Sequence, residues 1–127
     1  MTQATVVSTS KAPAAIGPYS QAIKLGNLVF TSGQIGLNPA TGELIGAGTE
    51  EQARQAFANL KAVAEEAGGS LANVVKFTLF LTDLSEFAQV NAIMQEYVSA
   101  PFPARSTVGV ASLPKGARFE VEAILAL

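Results

Sequence analysis

The sequence predicts one α+β domain over residues 1–127: a mixed β-sheet with two helices packed on one face, in the order β-β-β-α-β-α-β-β. Three observations carry that reading. Apolar residues recur at helical spacing in two stretches, Ala53 to Ala67 and Phe87 to Tyr97. Short segments rich in β-branched and aromatic residues place their side chains alternately on two faces. Glycine- and proline-bearing turns separate these segments. A chain of 127 residues buries roughly 65–70% of its unfolded surface, so such a domain needs no covalent staple.

Each element has its own signal. Ala4 to Ser8 reads as a short strand, and Lys11 to Tyr19, with Pro13, Gly17 and Pro18, as an irregular loop. Ala22 to Leu25 and Leu28 to Gln34 flank Gly26-Asn27, a two-residue turn signal, and form a hairpin. Asn38 to Gly42 turns the chain again, and Ile45 to Gly48 leads into the first helix. There Thr49 and Gln52 form a capping box, Glu50 and Glu51 suit the positive helix end, and Gly68 terminates the run. Its stripe is Ala53, Ala56, Phe57, Leu60, Val63, Ala64 and Ala67, with Lys61 beside it. In Val74 to Thr82, Val75, Phe77, Leu79 and Leu81 share one face, and Val74, Lys76, Thr78, Phe80 and Thr82 the other. The second helix starts at Asp83 or Ser85, with Asp83 and Glu86 fitting another capping box; Phe87, Val90, Met94 and Tyr97 form its stripe, and Pro101 and Pro103 stop it. Arg105 to Val110 and Arg118 to Leu125 are the last strands, joined through the turn Leu113 to Gly116. In the final strand Phe119, Val121, Ala123 and Leu125 point one way, and Arg118, Glu120, Glu122 and Ile124 the other.

Composition removes whole classes of chemistry. With no cysteine there is no disulfide, thiolate nucleophile or thiolate metal site. With no histidine, Ser–His–Asp and Cys–His catalysis are excluded. The acids are scattered apart from the pairs Glu50-Glu51, Glu65-Glu66 and Glu120/Glu122, so no metal site is expected. A net charge of −2 without a basic run argues against nucleic acid. No apolar run approaches the roughly 18 residues that span a bilayer. The first residues lack a signal-peptide core, so a cytoplasmic protein is expected. Charged residues are 14% of the chain, against roughly 25% in an average soluble domain. Part of the surface is therefore expected to lie between subunits. The sheet face carrying Lys76, Thr78, Phe80, Glu120 and Glu122 suits such an interface.

Few chemical tools remain. Arg105 opens one strand and Glu120 sits in the next. An arginine grips a carboxylate through two parallel N–H bonds, so this pair in neighbouring strands suits a small anionic substrate beside an acid or base. The residues alone leave a structural alternative open, in which Arg105 and Glu120 form an ion pair locking two strands and Glu122 partners Arg118.

Gly17-Pro18-Tyr19-Ser20-Gln21-Ala22, Thr31-Ser32-Gly33-Gln34-Ile35, Gln52-Ala53-Arg54-Gln55-Ala56, Asn59-Leu60-Lys61-Ala62-Val63, Pro103-Ala104-Arg105-Ser106 and Glu120-Val121-Glu122-Ala123-Ile124 occur in that order. Together they resemble the Rid (YjgF) family, and its RidA enamine/imine deaminase subgroup most. The resemblance implies a chorismate-mutase-like fold, a homotrimer with clefts between subunits, and no cofactor. It implies hydrolysis of 2-imino acids such as 2-iminobutanoate and 2-iminopropanoate, released by pyridoxal-phosphate dehydratases, to 2-oxo acids and ammonia. It places the carboxylate-binding arginine at Arg105, the water-positioning glutamate at Glu120, and the aromatic residue of the cleft-mouth loop at Tyr19. Main chain at Gly33 and Thr107 would line the cleft, and Lys61 matches a lysine that contributes in some members. Thr107 stands where many members have cysteine, so thiol oxidation chemistry is absent here. Each of these residues also has a plain reading: Tyr19 as an interface or core aromatic, Gly33 as room for close packing, Lys61 as a solvated helix charge, Thr107 as a good strand residue.

The chemistry is self-consistent. A 2-imino acid is largely an iminium at neutral pH, so its carbon is already electrophilic. An enzyme need only hold the carboxylate, through Arg105, and set one water against C=N, through Glu120. Two competing readings use the same residues: a non-catalytic trimer that binds 2-oxo acids as a sensor or chaperone, and a ribonuclease or translation inhibitor, which the charge disfavours.

Overall fold

The computed structural model describes residues 3–127. Its strands are β1 (Ala4–Val7), β2 (Ala22–Leu25), β3 (Leu28–Thr31), β4 (Gln34–Ile35), β5 (Val74–Leu81), β6 (Ala104–Gly109) and β7 (Phe119–Ala126); its helices are α1 (Thr49–Glu66) and α2 (Phe87–Met94). One sheet runs β1-β2-β3-β7-β5-β6, with β4 pairing β7 beyond the end of β3. Every pairing is antiparallel except β5–β6, which is parallel because α2 lies in the crossover between them. The α+β architecture and the element order agree with the sequence reading.

The predicted third strand is divided. β3 pairs β7 as far as Phe30 opposite Ile124, and β4 resumes with Gln34 opposite Val121. Between these pairs Thr31, Ser32 and Gly33 face only Ala123 and Glu122, one residue more than their partners, which makes a β-bulge. The Ala123 N–H freed by the break donates to Thr31 Oγ1 at 2.9 Å. A second irregularity, between Val74 and Lys76, turns Val74 inward and leaves Val75 47% exposed, contrary to simple alternation.

The helices cover one sheet face. Phe57, Leu60 and Val63 of α1 meet Phe77, Leu79 and Leu81 of β5 and Phe119, Val121 and Leu125 of β7, all without solvent exposure. Fully burying each such side chain contributes about 1.5–3 kcal/mol. Phe57 is the hub: its ring lies 5.4 Å from Tyr97, 5.6 Å from Phe119 and 6.1 Å from Phe77. In β7, Phe119, Val121, Ala123 and Leu125 are buried and Glu120, Glu122 and Ile124 half-buried, as alternation requires.

Both helix starts differ from the sequence reading. α1 is capped one residue earlier, by Gly48, whose N–H donates to Glu51 Oε1 at 2.9 Å. Thr49 and Gln52 are thereby released for tertiary bonds. Asp83 does cap, accepting from Ser85 N–H at 3.0 Å, but it opens a short 3-10 turn, Leu84–Glu86, that precedes α2. Glu86 turns its carboxylate to Arg118 and Thr49 instead of closing a box.

β4 and α1 touch backbone to backbone. A Cβ at Gly36 would fall 2.6 Å from Gln52 Cα and its carbonyl oxygen, so only glycine fits there. Gly36→Ala should destabilise the fold by about 1–3 kcal/mol, since a rigid helix backbone cannot yield. Urea unfolding, compared with an alanine at open Gly42 (whose own positive φ makes it a strain-only control), measures the difference.

Candidate active site

β4, the bulge before it and the start of β7 form the floor of the largest described cavity, of about 710 Å³. Its polar lining is Tyr19, Gln21, Ser32, Gly33, Gln34, Lys115 and Glu120, and its apolar walls include Pro13, Ile16, Ile35 and Leu37. The prolines and Gly17 keep the loop over the cavity out of regular structure. Buried Gln21 holds that loop in place: Oε1 accepts from Thr9 N–H at 2.7 Å, and Nε2 donates to Pro13 O at 2.7 Å. Ser32 Oγ donates to Ser20 O at 2.6 Å and ties the bulge to the same loop.

Glu120 is half-buried opposite Ile35 of β4 and Phe80 of β5. Its side chain lies against Gly33, where a Cβ would come within 2.7 Å of the Glu120 carboxyl carbon. The bulge glycine thus makes room for the carboxylate. Burial first, and the nearby Glu122 carboxylate second, raise the Glu120 pKa above its ordinary range. A carboxylate so placed is a better proton acceptor than one in water.

Arg105 lies elsewhere. β5 separates β6 from β7, so the arginine and the glutamate are not on neighbouring strands. In the parallel pair Arg105 is level with inward-facing Phe77, and Thr107 with Leu79. Both therefore point to the helix side, whereas Glu120 and Glu122 point to the opposite face. The ion pair considered from sequence does not form. Arg105 instead donates through Nη1 to Asn91 Oδ1, with Met94 Sδ at 3.7 Å, and its guanidinium lies 5.0 Å from the Phe87 ring centre. No carboxylate bridges to it among the described residues. With Thr107, Leu84 and Phe87 it lines a shallow recess of about 520 Å³. The Thr107 hydroxyl is buried there with no hydrogen-bond partner among the described residues.

The structure thus brings Tyr19, Gly33 and Glu120 together, and Arg105 and Thr107 together, but places the two groups on opposite sides of one chain. Lys61 is exposed on α1 and lines neither recess. Arg118 pairs with Glu86 at 2.6 Å, not with Glu122, because its side chain turns toward the start of α1, where Thr49 Oγ1 also accepts from its Nε at 2.8 Å. Sequence reading missed Lys115, which reaches the Glu120 cavity from the turn before β7, and Asn91 and Phe87, which orient Arg105. Lys115 sits in a Pro-Lys-Gly turn whose positive φ of 59° signals a shaped loop. The other two fall at helical spacing on α2 and read as ordinary helix positions.

Known proteins resemble this chain over nearly its full length. The family model for endoribonuclease L-PSP matches residues 9–127. A 2-iminobutanoate/2-iminopropanoate deaminase of Dermatophagoides farinae is 48% identical over 122 residues, covering 96% of this chain and 95% of the relative. The human protein of the same name is 47% identical, covering 94% of this chain and 87% of its own. The crystal structure of RidA from an Antarctic Psychrobacter superposes with a TM-score of 0.94 at 53% identity, covering 97% of this chain and 99% of that one. The chain belongs to the Rid (YjgF) family, which the endoribonuclease L-PSP model describes.

Gly33→Ala should displace the Glu120 carboxylate at little cost in stability, because the new methyl occupies its place and the flexible end of the glutamate can swing away. A crystal structure of the variant and its thermal melt test both statements. A Glu120 side chain left where it is would refute the first.

Proposed function

We propose that residues 1–127 form one Rid-family domain that hydrolyses short 2-imino acids, such as 2-iminobutanoate and 2-iminopropanoate, to 2-oxo acids and ammonia. The observation that carries this reading is near full-length likeness to deaminases of that name, at 48% identity over 96% of the chain. The site lies between copies of the chain in a homotrimer, where the Arg105 recess of one copy faces the Glu120 cavity of the next. Two features support the split. Arg105 and Glu120 point to opposite faces of one sheet, and the outer face still exposes Val6, Phe30 and Val108 to at least 40%. Apolar surface of that extent favours a subunit contact.

In this reading Arg105 grips the substrate carboxylate, already oriented by Asn91 and Phe87. β6 is an edge strand, and Val110, which directly follows it, donates its N–H inward to Leu81 O at 2.9 Å. Two-residue alternation therefore turns the Thr107 N–H out to the open edge, beside Arg105, where it donates to the same carboxylate. Tyr19 and Gly33 bound the far side. Water adds to the iminium carbon while Glu120 takes its proton, and the C=N π pair moves onto nitrogen. The carbinolamine then receives a proton on nitrogen, its C–N bond breaks and ammonia leaves as the hydroxyl loses its proton to give the 2-oxo acid. Glu120 carries both protons in turn. No step is assigned to Lys61 and none needs a cofactor. Pyridoxal-phosphate dehydratases supply the substrate, and the cytoplasm is the expected compartment. Among the described residues no helix is long and apolar enough to cross a membrane. A net charge of −2 gives the family's ribonuclease description no electrostatic footing on RNA.

Three outcomes are expected. With a threonine dehydratase generating 2-iminobutanoate and semicarbazide trapping what survives, wild type should cut trapping and Arg105→Ala should not. Folded, oligomeric wild type that leaves trapping unchanged would favour the non-catalytic 2-oxo acid-binding trimer. If the site is shared, unfolding and refolding Arg105→Ala with Glu120→Gln in equal amounts should restore roughly a quarter of the activity, since random assembly leaves about one site in four intact. No recovery would place both residues in one copy's site. The acid limb of the kcat profile, measured with substrate neutralising Arg105, reports Glu120. Because its pKa is raised, the base is lost at a higher pH than an ordinary carboxylate, so activity should fall as pH drops through a midpoint above about 4.3. Glu120→Gln should lack that limb.

A further inference from the structure

We propose that Gln52 is a positioning residue for the Glu120 carboxylate: its buried amide ties the start of β7 to the segment that leads into α1, and its backbone bears the end of β4. The inference rests on the catalytic reading of Glu120 given above. Gln52 is 1% exposed in the first turn of α1, yet neither end of its side chain serves the helix. Oε1 accepts from Arg118 N–H at 2.8 Å, two residues before Glu120, and Nε2 donates to Gly46 O at 2.8 Å, in the segment that returns from β4. Its backbone is the surface on which Gly36 rests, and Gly36 directly follows Ile35, the β4 partner of Glu120. The β7 start and the β4 end, the two segments that pair at Glu120, therefore both terminate on this one residue.

Neighbouring groups reinforce the tie. Asn59, two turns along the same helix and equally buried, donates through Nδ2 to Leu37 O at 2.9 Å and Ile35 O at 3.3 Å, on either side of Gly36. Arg118 is held by Glu86 and Thr49. A hydrophobic residue would fill the Gln52 site without the burden of burying an amide. The amide is instead hydrogen-bonded at both its oxygen and its nitrogen, to Arg118 N–H just before β7 and to Gly46 O, as a part that sets a geometry would be. The titratable groups around Glu120 are Glu122 on its own strand, Tyr19 from the loop above and Lys115 from the turn below. Among the described residues none of them hydrogen-bonds to Gln52.

The test compares Gln52→Met, which keeps volume and removes both bonds, Gln52→Glu, which keeps the acceptor for Arg118 N–H, and Val63→Ala, a fully buried α1 core change away from the site. Glu120→Gln is run beside them. Deamination by Gln52→Met should lose at least roughly tenfold in kcat with KM within about twofold, because misplacement by about 1 Å suffices for such losses. Its acid limb should move to lower pH as the carboxylate gains solvent. Gln52→Glu should recover part of the loss, while Val63→Ala should keep wild-type kcat and limb at a comparable drop in Tm. Wild-type kcat and acid limb in Gln52→Met, with Glu120→Gln inactive, would overturn the positioning role and leave the catalytic one. An active Glu120→Gln would instead remove the catalytic reading on which the role depends. If Gln52→Met fails to fold, Gln52→Ser, which removes both bonds and leaves space for water to meet Arg118 N–H and Gly46 O, decides in the same way: full wild-type kcat and limb count against the proposal.

Discussion

The hydrogen-bonded embedding of β7 is the constraint on which the rest of the molecule depends. This strand pairs with β3, β4 and β5, so among the described residues it is the one strand with three partners. Its inward residues complete the core beneath Phe57, and its outward residues carry the only carboxylate pair on the sheet's open face. Because both edges of β7 are paired, its backbone has no freedom to drift, and a side chain on it inherits that rigidity. The break in its pairing with β3 and β4, the bulge at Thr31 to Gly33, is where the Glu120 carboxylate finds room. Core and cavity are two faces of the same eight residues.

Charged groups are scarce in this chain, and most of its buried polar side chains sit at junctions. Gln21 pins the cavity loop, Asn59 and Gln52 pin the β4 segment and the start of β7, and Thr49 joins Arg118 to Glu86. Each joins segments far apart in sequence that hydrophobic packing alone would leave free to slide. Arg105 follows another logic. It stays exposed at the sheet edge, oriented by Asn91 and Phe87 and with no carboxylate partner among the described residues. A guanidinium held this way loses little on meeting a ligand carboxylate, since no internal pair must break first.

Much of the fold was legible in the sequence because it rests on local periodicity. The α1 stripe from Ala53 to Ala67 and the in–out alternation of β7 follow from 3.6- and two-residue repeats, and both hold in the structure. Where reading failed, a nonlocal partner won. Thr49 and Gln52 have the pattern of a capping box, but Arg118, Glu86 and Gly46 bond them more effectively, and Gly48 takes over the cap. Val75 follows alternation until a bulge shifts the register. Arg105 and Glu120 sit on strands consecutive in sequence, but insertion of β5 between them parts the two.

Composition and spacing act through nearest neighbours along the chain, and they were enough to set the class of fold, the turns, the two helical faces and the few residues able to do chemistry. Three-dimensional packing alone divides those residues into two recesses on opposite faces, makes Gly33 the space for a carboxylate, and brings Gln52 to the backbone just before β7. Those facts depend on strand order and on a bulge of one residue, and a hydrogen bond between residues 52 and 118 leaves no trace in the local pattern at either end.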